Sequence, residues 1–140
     1  MIDQVTVFLE NEEGHLSALC RDMGRAGVNM HALTIADTSD YGVVRIICSD
    51  PQKAVDFLRA EGYRVNKTPV MAVSVSNESG GLAKLLDLFD GLGLNIEYGY
   101  CFSMGSSALN VLKVAKGQVQ ESAIAAIEAA GFSVVEQEDL

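Results

Sequence analysis

The chain has 140 residues, and its 19 acidic against 10 basic side chains give a net charge of −9. Nucleic-acid binding depends on Lys and Arg contacts to phosphates, so this charge balance argues against it. No stretch approaches the ~20 consecutive apolar residues of a membrane span. The sequence starts with acids and alternation where a signal peptide has bases and an apolar run, so we expect a cytoplasmic protein.

The hydrophobic pattern of the first half predicts the element order βαββαβ. The expected elements are a strand at 2–9, a helix at 14–25, a strand at 28–36, a polar turn at 37–40, a strand at 41–49, a helix that Asp50 and Pro51 open and Gly62 ends, and a strand at 63–67. Asp as N-cap and Pro at the first helical position are typical of a helix start.

The second half predicts the same order. The expected elements are a strand at 71–76, a helix at 80–90, strands at 94–102 and 108–114, a helix at 119–130, a strand at 132–136 and a frayed acidic end. Thr68-Pro69 is the expected linker. We therefore predict two domains, residues 1–68 and 69–140, which fold together because each is too small to be stable alone.

A constant offset of 66 residues aligns NEEGHLSALCRDMGRAGVNM (11–30) with NESGGLAKLLDLFDGLGLNI (77–96) without gaps. A match at one fixed offset indicates an internal repeat. Two βαββαβ units predict an α+β fold of two ferredoxin-like sandwiches, each with two helices on one face of an antiparallel sheet. The identical pairs include Asn11 and Asn77, Gly14 and Gly80, Leu16 and Leu82, Leu19 and Leu85, Gly27 and Gly93, and Asn29 and Asn95.

The third strand is apolar on both faces between Val43 and Cys48, apart from Arg45. A sheet with one face in water alternates between apolar and polar residues. We therefore expect another subunit or a neighbouring domain to cover the far face, meaning the sheet face opposite the helices. For the same reason we expect a homodimer or a larger assembly.

The sequence contains no catalytic set, metal-ligand spacing or cofactor motif. Cys20, Cys48 and Cys101 fit no zinc, iron–sulfur or redox spacing, and they predict three buried, reduced thiols. The first loop reads NEEG where a metal chaperone has CxxC. We expect a protein that is not an enzyme and that holds no metal and no cofactor.

The NxxG turns, each followed a dozen residues later by Gly-Val-Asn-Met or Gly-Leu-Asn-Ile, resemble the ACT domain, a small-molecule-sensing module of amino-acid metabolism. The resemblance covers essentially the whole chain, twice. DYGVVRIICSDPQKA (40–54) and NIEYGYCF (95–102) look like small bacterial stand-alone proteins made of two tandem ACT domains. The resemblance implies a side-by-side pseudo-dimer with one continuous eight-stranded antiparallel sheet, joined through the second strands.

The resemblance also implies that an amino acid binds at the seam, where the strand-to-helix turn of one unit meets the second strand of the other. Free N–H groups at a helix start can hold an α-carboxylate, and glycine lets a ligand approach the backbone. Helix N-capping by Asn11 and Asn77 is the alternative. Carried over by position, Asn11 and Gly14 share a seam with Asn95, and Asn77 and Gly80 share one with Asn29.

The second turn is the better anion site, because Glu12 and Glu13 would repel a carboxylate at the first. Serine-sensing relatives place a His where this chain has Leu9 and Val75, so serine is not expected. Tyr98 begins an aromatic stripe that serves either packing or an aromatic or imidazole effector. The full expected site comprises Asn11, Gly14, His15, Leu16, Asn29, Met30, Asn77, Gly80, Gly81, Leu82, Asn95, Ile96 and Tyr98.

The resulting expectation is a non-catalytic regulatory protein that binds a free amino acid between its two ACT domains. A homodimer is the expected assembly, and an enzyme of amino-acid metabolism is the candidate partner. The alternative is a structural interaction module that docks on a metabolic enzyme through the far face of the sheet without binding a ligand.

Overall fold

The computed structural model describes residues 1–37 and 41–140, so most of the expected polar turn at 37–40 lies outside the described residues. The strands are β1 (Ile2–Glu10), β2 (Met30–Asp37), β3 (Tyr41–Cys48), β4 (Arg64–Ser76), β5 (Ile96–Met104), β6 (Ser107–Val114) and β7 (Ser133–Val134). The helices are α1 (His15–Arg25), α2 (Pro51–Ala60), α3 (Gly81–Gly91) and α4 (Glu121–Ala129), and a 3₁₀ turn at Gln137–Asp139 stands where the sequence predicts a frayed end.

The chain divides into two compact units. The first unit is Asp3–Thr68 with Leu140, and the second is Pro69–Asp139 with Met1 and Ile2. In the first unit the strands lie in the order β4-β1-β3-β2, and in the second the order is β7-β4-β6-β5. These are the same ferredoxin-like order, so the prediction of two α+β units with antiparallel sheets is confirmed.

The strand pairing repeats at the same offset of 66 residues as the sequence. Val5 pairs with Ile46 in the first unit, and Met71 pairs with Leu112 in the second. Both second strands also have a register irregularity near their start, between Met30 and Ala32 and at the equivalent place in β5. The repeat therefore extends from residue identity to hydrogen-bond register.

Within residues 1–37 and 41–140 the structure has seven strands, where the sequence predicts eight. The expected strands at 63–67 and 71–76 form one strand, β4, which runs through the expected linker. Proline is compatible with a strand where no neighbour needs its missing N–H, and Pro69 is exposed. The strand therefore continues across the boundary between the units.

Each unit has its own apolar core between helices and sheet. Helix α2 begins as predicted, because Asp50 Oδ1 accepts a hydrogen bond from the Lys53 N–H at 3.0 Å and Pro51 follows it. The first core includes Val5, Val7, Leu19, Met23, Val44, Ile46, Val55 and Leu58. The second includes Met71, Val73, Val75, Leu85, Phe89, Leu112, Val114 and Ile127.

Leu16, Leu19, Cys20 and Met23 recur at the i, i+3, i+4, i+7 spacing of one apolar helix face, and their repeat counterparts do the same. This pattern predicts that Leu16 and Leu82 are buried, yet Leu16 is 37% exposed and Leu82 is 44% exposed. Each lies in the first turn of its helix, beyond the residues that reach the core. These two leucines are therefore exposed apolar residues at the start of their helices.

The far face of the third strand is covered at Ile47, which is 1% exposed. The sequence predicts that another subunit or a neighbouring domain covers this face, and the burial of Ile47 agrees with a covered face. The homodimer stays a prediction.

The two second strands are edge strands of their units. Strand β2 is hydrogen-bonded to β3 and strand β5 to β6. The strand pairs among residues 1–37 and 41–140 do not include one between β2 and β5. The pairing of second strands implied by the resemblance is thus not a feature of the single chain, because the outer edge of each of these strands carries no ladder.

Candidate functional site

Both strand-to-helix turns end in a left-handed glycine. Gly14 has φ +86° and Gly80 has φ +81°, and each occupies the N-cap position of its helix. Residues with a Cβ rarely adopt this conformation. The two turns thus present the same backbone geometry, as the repeated NxxG pattern predicts.

The first helical turns offer unpaired N–H donors. Neither helix has a side-chain cap, and among the described residues Leu16, Ser17, Leu82 and Ala83 have no acceptor for their backbone N–H groups. The alternative in which the turn asparagines cap these helices is therefore wrong for this structure. Asn11 and Asn77 are exposed.

The acids near the turns distinguish the two units. Among the described residues Glu10, Glu12 and His15 bring their side-chain ligand atoms within 4.8 Å of one another. His15 Nδ1 lies 3.1 Å from the Glu10 carbonyl oxygen, and its Nε2 lies 3.7 Å from Glu12 Oε2. This surface cluster opposes an anion at the first turn, whereas Glu78 is the single acid of the second.

Gly81 gives the second turn a tighter backbone than the first. A Cβ at Gly81 would lie 2.6 Å from the Ser76 carbonyl oxygen, so no larger residue fits without a shift. The equivalent position of the first unit is His15. The extra glycine that the sequence singled out thus lets α3 begin directly against the end of β4.

Asn29 and Asn95 are fixed by their backbone and expose their side chains. The Asn29 N–H donates to Ser49 Oγ at 3.2 Å, and the Asn95 N–H donates to Gln118 Oε1 at 2.7 Å. Met30 and Ile96 follow them and are half-buried. Within each unit these residues lie at the opposite end of the helix from the turn, so one unit alone does not unite the predicted site.

The second unit contains an apolar cleft between the first turns of α3 and the helix side of β5. Its volume is about 440 Å³. Two of the predicted site residues, Leu82 and Ile96, line it. Its lining is Leu82, Leu86, Ile96, Gly99, Tyr100, Cys101, Asn110 and Leu112.

The first unit has a smaller cleft of about 130 Å³ at the equivalent place. Three lining positions correspond at the repeat offset: Leu16 with Leu82, Ile35 with Cys101, and Val44 with Asn110. The predicted residues Asn11, His15 and Leu16 meet there. A separate cleft of about 440 Å³ in the same unit touches the predicted set only at His15, and Arg64 stacks over the Phe8 ring beside it, 5.6 Å from the ring centroid.

Several lining residues were missed by the sequence reasoning. Gly99 and Asn110 interrupt strands of otherwise ordinary pattern, and only comparison with Leu33 and Val44 of the other repeat could have revealed them. Tyr98 is half-buried on β5 outside the cleft. Cys101 is exposed on the edge strand and Cys20 is half-buried, so the prediction of three buried thiols holds only for Cys48, whose pKa burial raises to about 11.

Away from the clefts, Tyr63 joins α1 to the segment after α2. Its hydroxyl donates to Asp22 Oδ2 at 2.6 Å. Burial, followed by this hydrogen bond, raises the pKa of Tyr63 to about 12. The same bond, with help from Arg25, holds the pKa of Asp22 below its ordinary value. The pair has the character of a structural link rather than of a proton-transfer site.

A family model described as an ACT domain pair matches residues 1–140. The chain belongs to the ACT domain pair family. ACT domain pairs are regulatory rather than enzymatic, in agreement with the predicted absence of catalytic function. No helix among the described residues combines the length and apolar character that a membrane span requires.

Solved structures share the ACT pair fold. A Bacteroides thetaiotaomicron protein is 31% identical, with a TM-score of 0.90 over 99% of this chain and 94% of its own. The aspartate kinase regulatory subunits of Thermus thermophilus (ligand-free form) and Thermus flavus are 15% and 17% identical, with TM-scores of 0.63 and 0.64. The match to the Thermus thermophilus subunit covers 92% of this chain and 92% of the subunit, and the match to the Thermus flavus subunit covers 91% of each. At these identities the likeness shows a shared fold alone. A comparison with curated proteins finds no match.

Proposed function

We propose that this ACT domain pair senses a free amino acid. The ligand is held where the strand-to-helix turn of a first unit meets β5 of a second unit, or where the turn of a second unit meets β2 of a first unit. The observation that carries the proposal is the pair of unused N–H donors at the start of each of α1 and α3. Such donors, together with the helix dipole, form a natural site for an α-carboxylate.

The second turn is the stronger carboxylate site. Leu82 and Ala83 offer their N–H groups there, and one acid, Glu78, lies close in sequence. The exposed Asn77 amide can donate to a carboxylate or accept from an ammonium. A zwitterion therefore finds partners for both of its charges at one turn and one neighbouring strand.

The seam requires a second copy of the chain. Strands β2 and β5 have an open edge in the single chain, and Ile35 on β2 is 49% exposed. Pairing β2 of one copy with β5 of another satisfies these edges and covers the exposed leucines of the first helical turns. Asn77 of one copy then shares a seam with Asn29 of the other, and Asn95 with Asn11.

The regulated partner in this proposal is an enzyme of amino-acid metabolism. The support is the shared fold of the aspartate kinase regulatory subunits. The alternative, a ligand-free scaffold that docks through the far face of the sheet, loses its surface because residues such as Ile47 are buried within the chain.

A thermal-shift panel of the twenty L-amino acids tests the proposal. A ligand that binds only the folded protein stabilises it by RT ln(1 + [L]/Kd), about 2.7 kcal/mol at a hundredfold excess over Kd. We expect at least one amino acid to raise the melting temperature at millimolar concentration. If all twenty leave the melting curve unmoved, the sensor proposal fails.

Two asparagine variants locate the site. Asn77→Ala and Asn95→Ala should each weaken binding at one seam by about 1–3 kcal/mol, because each leaves a ligand group unpaired. In a protein with both seams occupied, calorimetry should find one class of unaltered sites in each single variant and none in the double variant. Asn66→Ala, on the exposed start of β4, is the control and should bind like the parent.

A further inference from the structure

We propose that the cleft of the second unit selects an amino acid with a large aromatic side chain that ends in one hydrogen-bond donor, the chemistry of tyrosine and tryptophan. The proposal rests on the proposed function and deepens it, because it assigns the ligand's side chain to a place in this chain. It is carried by the size of the cleft, by one buried amide in its wall, and by the difference between the two repeats.

The size of the cleft fits an aromatic ring. Its volume of about 440 Å³ falls within the roughly 300–1,000 Å³ of small-molecule pockets. The walls are aliphatic, from Leu82 and Leu86 on the helix and Ile96 and Leu112 on the sheet. A charged side chain would lose its hydration there without gaining a counter-charge, so the cleft disfavours lysine, arginine and the acids.

Asn110 contributes an amide group to the inner wall. It is 4% exposed, and its Nδ2 donates to the Ala108 carbonyl oxygen at 3.3 Å. Among the described residues Oδ1 has no hydrogen-bond donor, and it is not one of the side-chain atoms sealed from solvent without a partner. A ligand that fills the cleft takes solvent away from Oδ1, and an acceptor left there without a donor is costly. A phenol O–H or an indole N–H that enters the cleft would satisfy it.

The first repeat has apolar residues at the positions that correspond to Asn110 and Gly99. Val44 stands where the second unit has Asn110, and Leu33, packed on the first core, stands where it has Gly99. A Cβ at Gly99 would lie 2.7 Å from Leu112 Cδ2. The second unit therefore has a glycine and an amide where the first has two apolar side chains, and its cleft measures about 440 Å³ against about 130 Å³.

Leu82 connects the cleft to the carboxylate site. Its backbone N–H is one of the unused donors of α3, and its side chain lines the cleft. One residue therefore borders both the main-chain end and the side-chain end of the proposed ligand. Leu16 has the same two features in the first unit, but its cleft measures about 130 Å³ against about 440 Å³ in the second.

Calorimetry with L-tyrosine, L-tryptophan, L-phenylalanine, L-leucine, L-alanine and L-lysine tests the proposal. Tyrosine and phenylalanine form the decisive pair, since they differ by one hydroxyl group. We expect tyrosine and tryptophan to bind about tenfold or more tightly than phenylalanine, because phenylalanine leaves Oδ1 unpaired. Alanine and lysine should bind weakest. Equal affinities for tyrosine and phenylalanine, or tighter binding of alanine or lysine, would overturn the proposal.

Variants separate the amide from the rest of the cleft. Asn110→Leu, which keeps the volume and removes the acceptor, should abolish the preference for tyrosine over phenylalanine. Leu86→Ala should weaken all aromatic ligands alike. Cys20→Ala, at the equivalent position of the first repeat, should leave the affinities unchanged. A preference that survives in folded Asn110→Leu contradicts the assignment.

A measurement on the unaltered protein guards against variants that do not fold. Cys101 is exposed in the cleft, and Cys20 is half-buried elsewhere. Saturating L-tyrosine should slow alkylation of Cys101 by iodoacetamide and leave the rate at Cys20 unchanged. No protection of Cys101 overturns the proposal while the sensor function stands. If no amino acid binds at all, both proposals fail together.

Discussion

The side-chain pair Tyr63 and Asp22 predicts a pH-dependent contribution to stability. The folded-state pKa of Tyr63 is raised to about 12 from an ordinary 10, so its contribution is present below pH 10 and is lost as the pH rises towards 12. The pKa of Asp22 is lowered below 3.8, so its contribution is present above that pH and is lost as the pH falls. Tyr63→Phe should therefore lower the melting temperature most between these limits.

Thermal melts of the parent and the variant from pH 3 to pH 11 check this. The difference in melting temperature should shrink at both ends of the range. Asp22→Asn serves as the matched variant, and combining the two should cost less than the sum of the single changes, because both remove the same hydrogen bond. A difference that is constant across the whole range would contradict the prediction.

Individual residues also limit what the sequence could predict about the site. The turn glycines and asparagines were found because the repeat marks them twice. Gly99 and Asn110 were missed because each occurs once, and a single glycine or asparagine in a strand does not by itself indicate a cleft. Whether an asparagine on a strand lines a cleft depends on the position of the neighbouring helix. The local sequence pattern of the strand does not contain that information.

Among the elements, helix α3 depends on a close contact at its first residue. A Cβ at Gly81 would lie 2.6 Å from a backbone carbonyl oxygen, which cannot move aside as a side chain can. Gly81→Ala should therefore cost about 1–3 kcal/mol of unfolding free energy. Chemical denaturation is the direct measurement.

Gly91→Ala in the same helix is the control. Its added methyl group meets no atom within 4 Å, and alanine is the better helix former, so the variant should equal or exceed the parent by up to about 1 kcal/mol. Equal stability of the two variants would mean that the start of α3 moves freely to accommodate a side chain.

The elements themselves were largely predictable, since helices and strands have opposite hydrophobic periods. All four helices and the antiparallel sheets were predicted, and the fixed offset extends to the strand register. The continuous strand through Thr68-Pro69 was not predicted, because a threonine followed by a proline is typical of a linker unless the neighbouring strands are known. Strand β4 shows that such a pair can lie inside a strand.

For the whole molecule, the open edges of β2 and β5 predict self-association. Ile35→Lys places a charge at a position on the β2 edge that is already half exposed, so the free energy of unfolding should change by no more than about 0.5 kcal/mol. The same charge should prevent the pairing of β2 with β5 of another copy. Light scattering should give twice the 14.9 kDa chain mass for the parent and the single mass for the variant.

Ala125→Lys, on the exposed face of α4, is the control and should remain a dimer. A parent protein that is monomeric at micromolar concentration would reject pairing between copies. The sequence predicts self-association from the apolar far face of the sheet, whereas the structure supports it through the open edges of β2 and β5. Which strands lie at an edge is a tertiary property that a local pattern does not contain.

The unequal clefts have a consequence for how such a protein can change over generations. In an assembly of identical single ACT domains, every substitution appears in every domain. The same residue must then serve both ligand specificity and core packing. Fusion of two copies removes that constraint. Position 99 could lose its side chain while position 33 kept its leucine, leaving one half free to acquire ligand preference while the other preserves a filled interior.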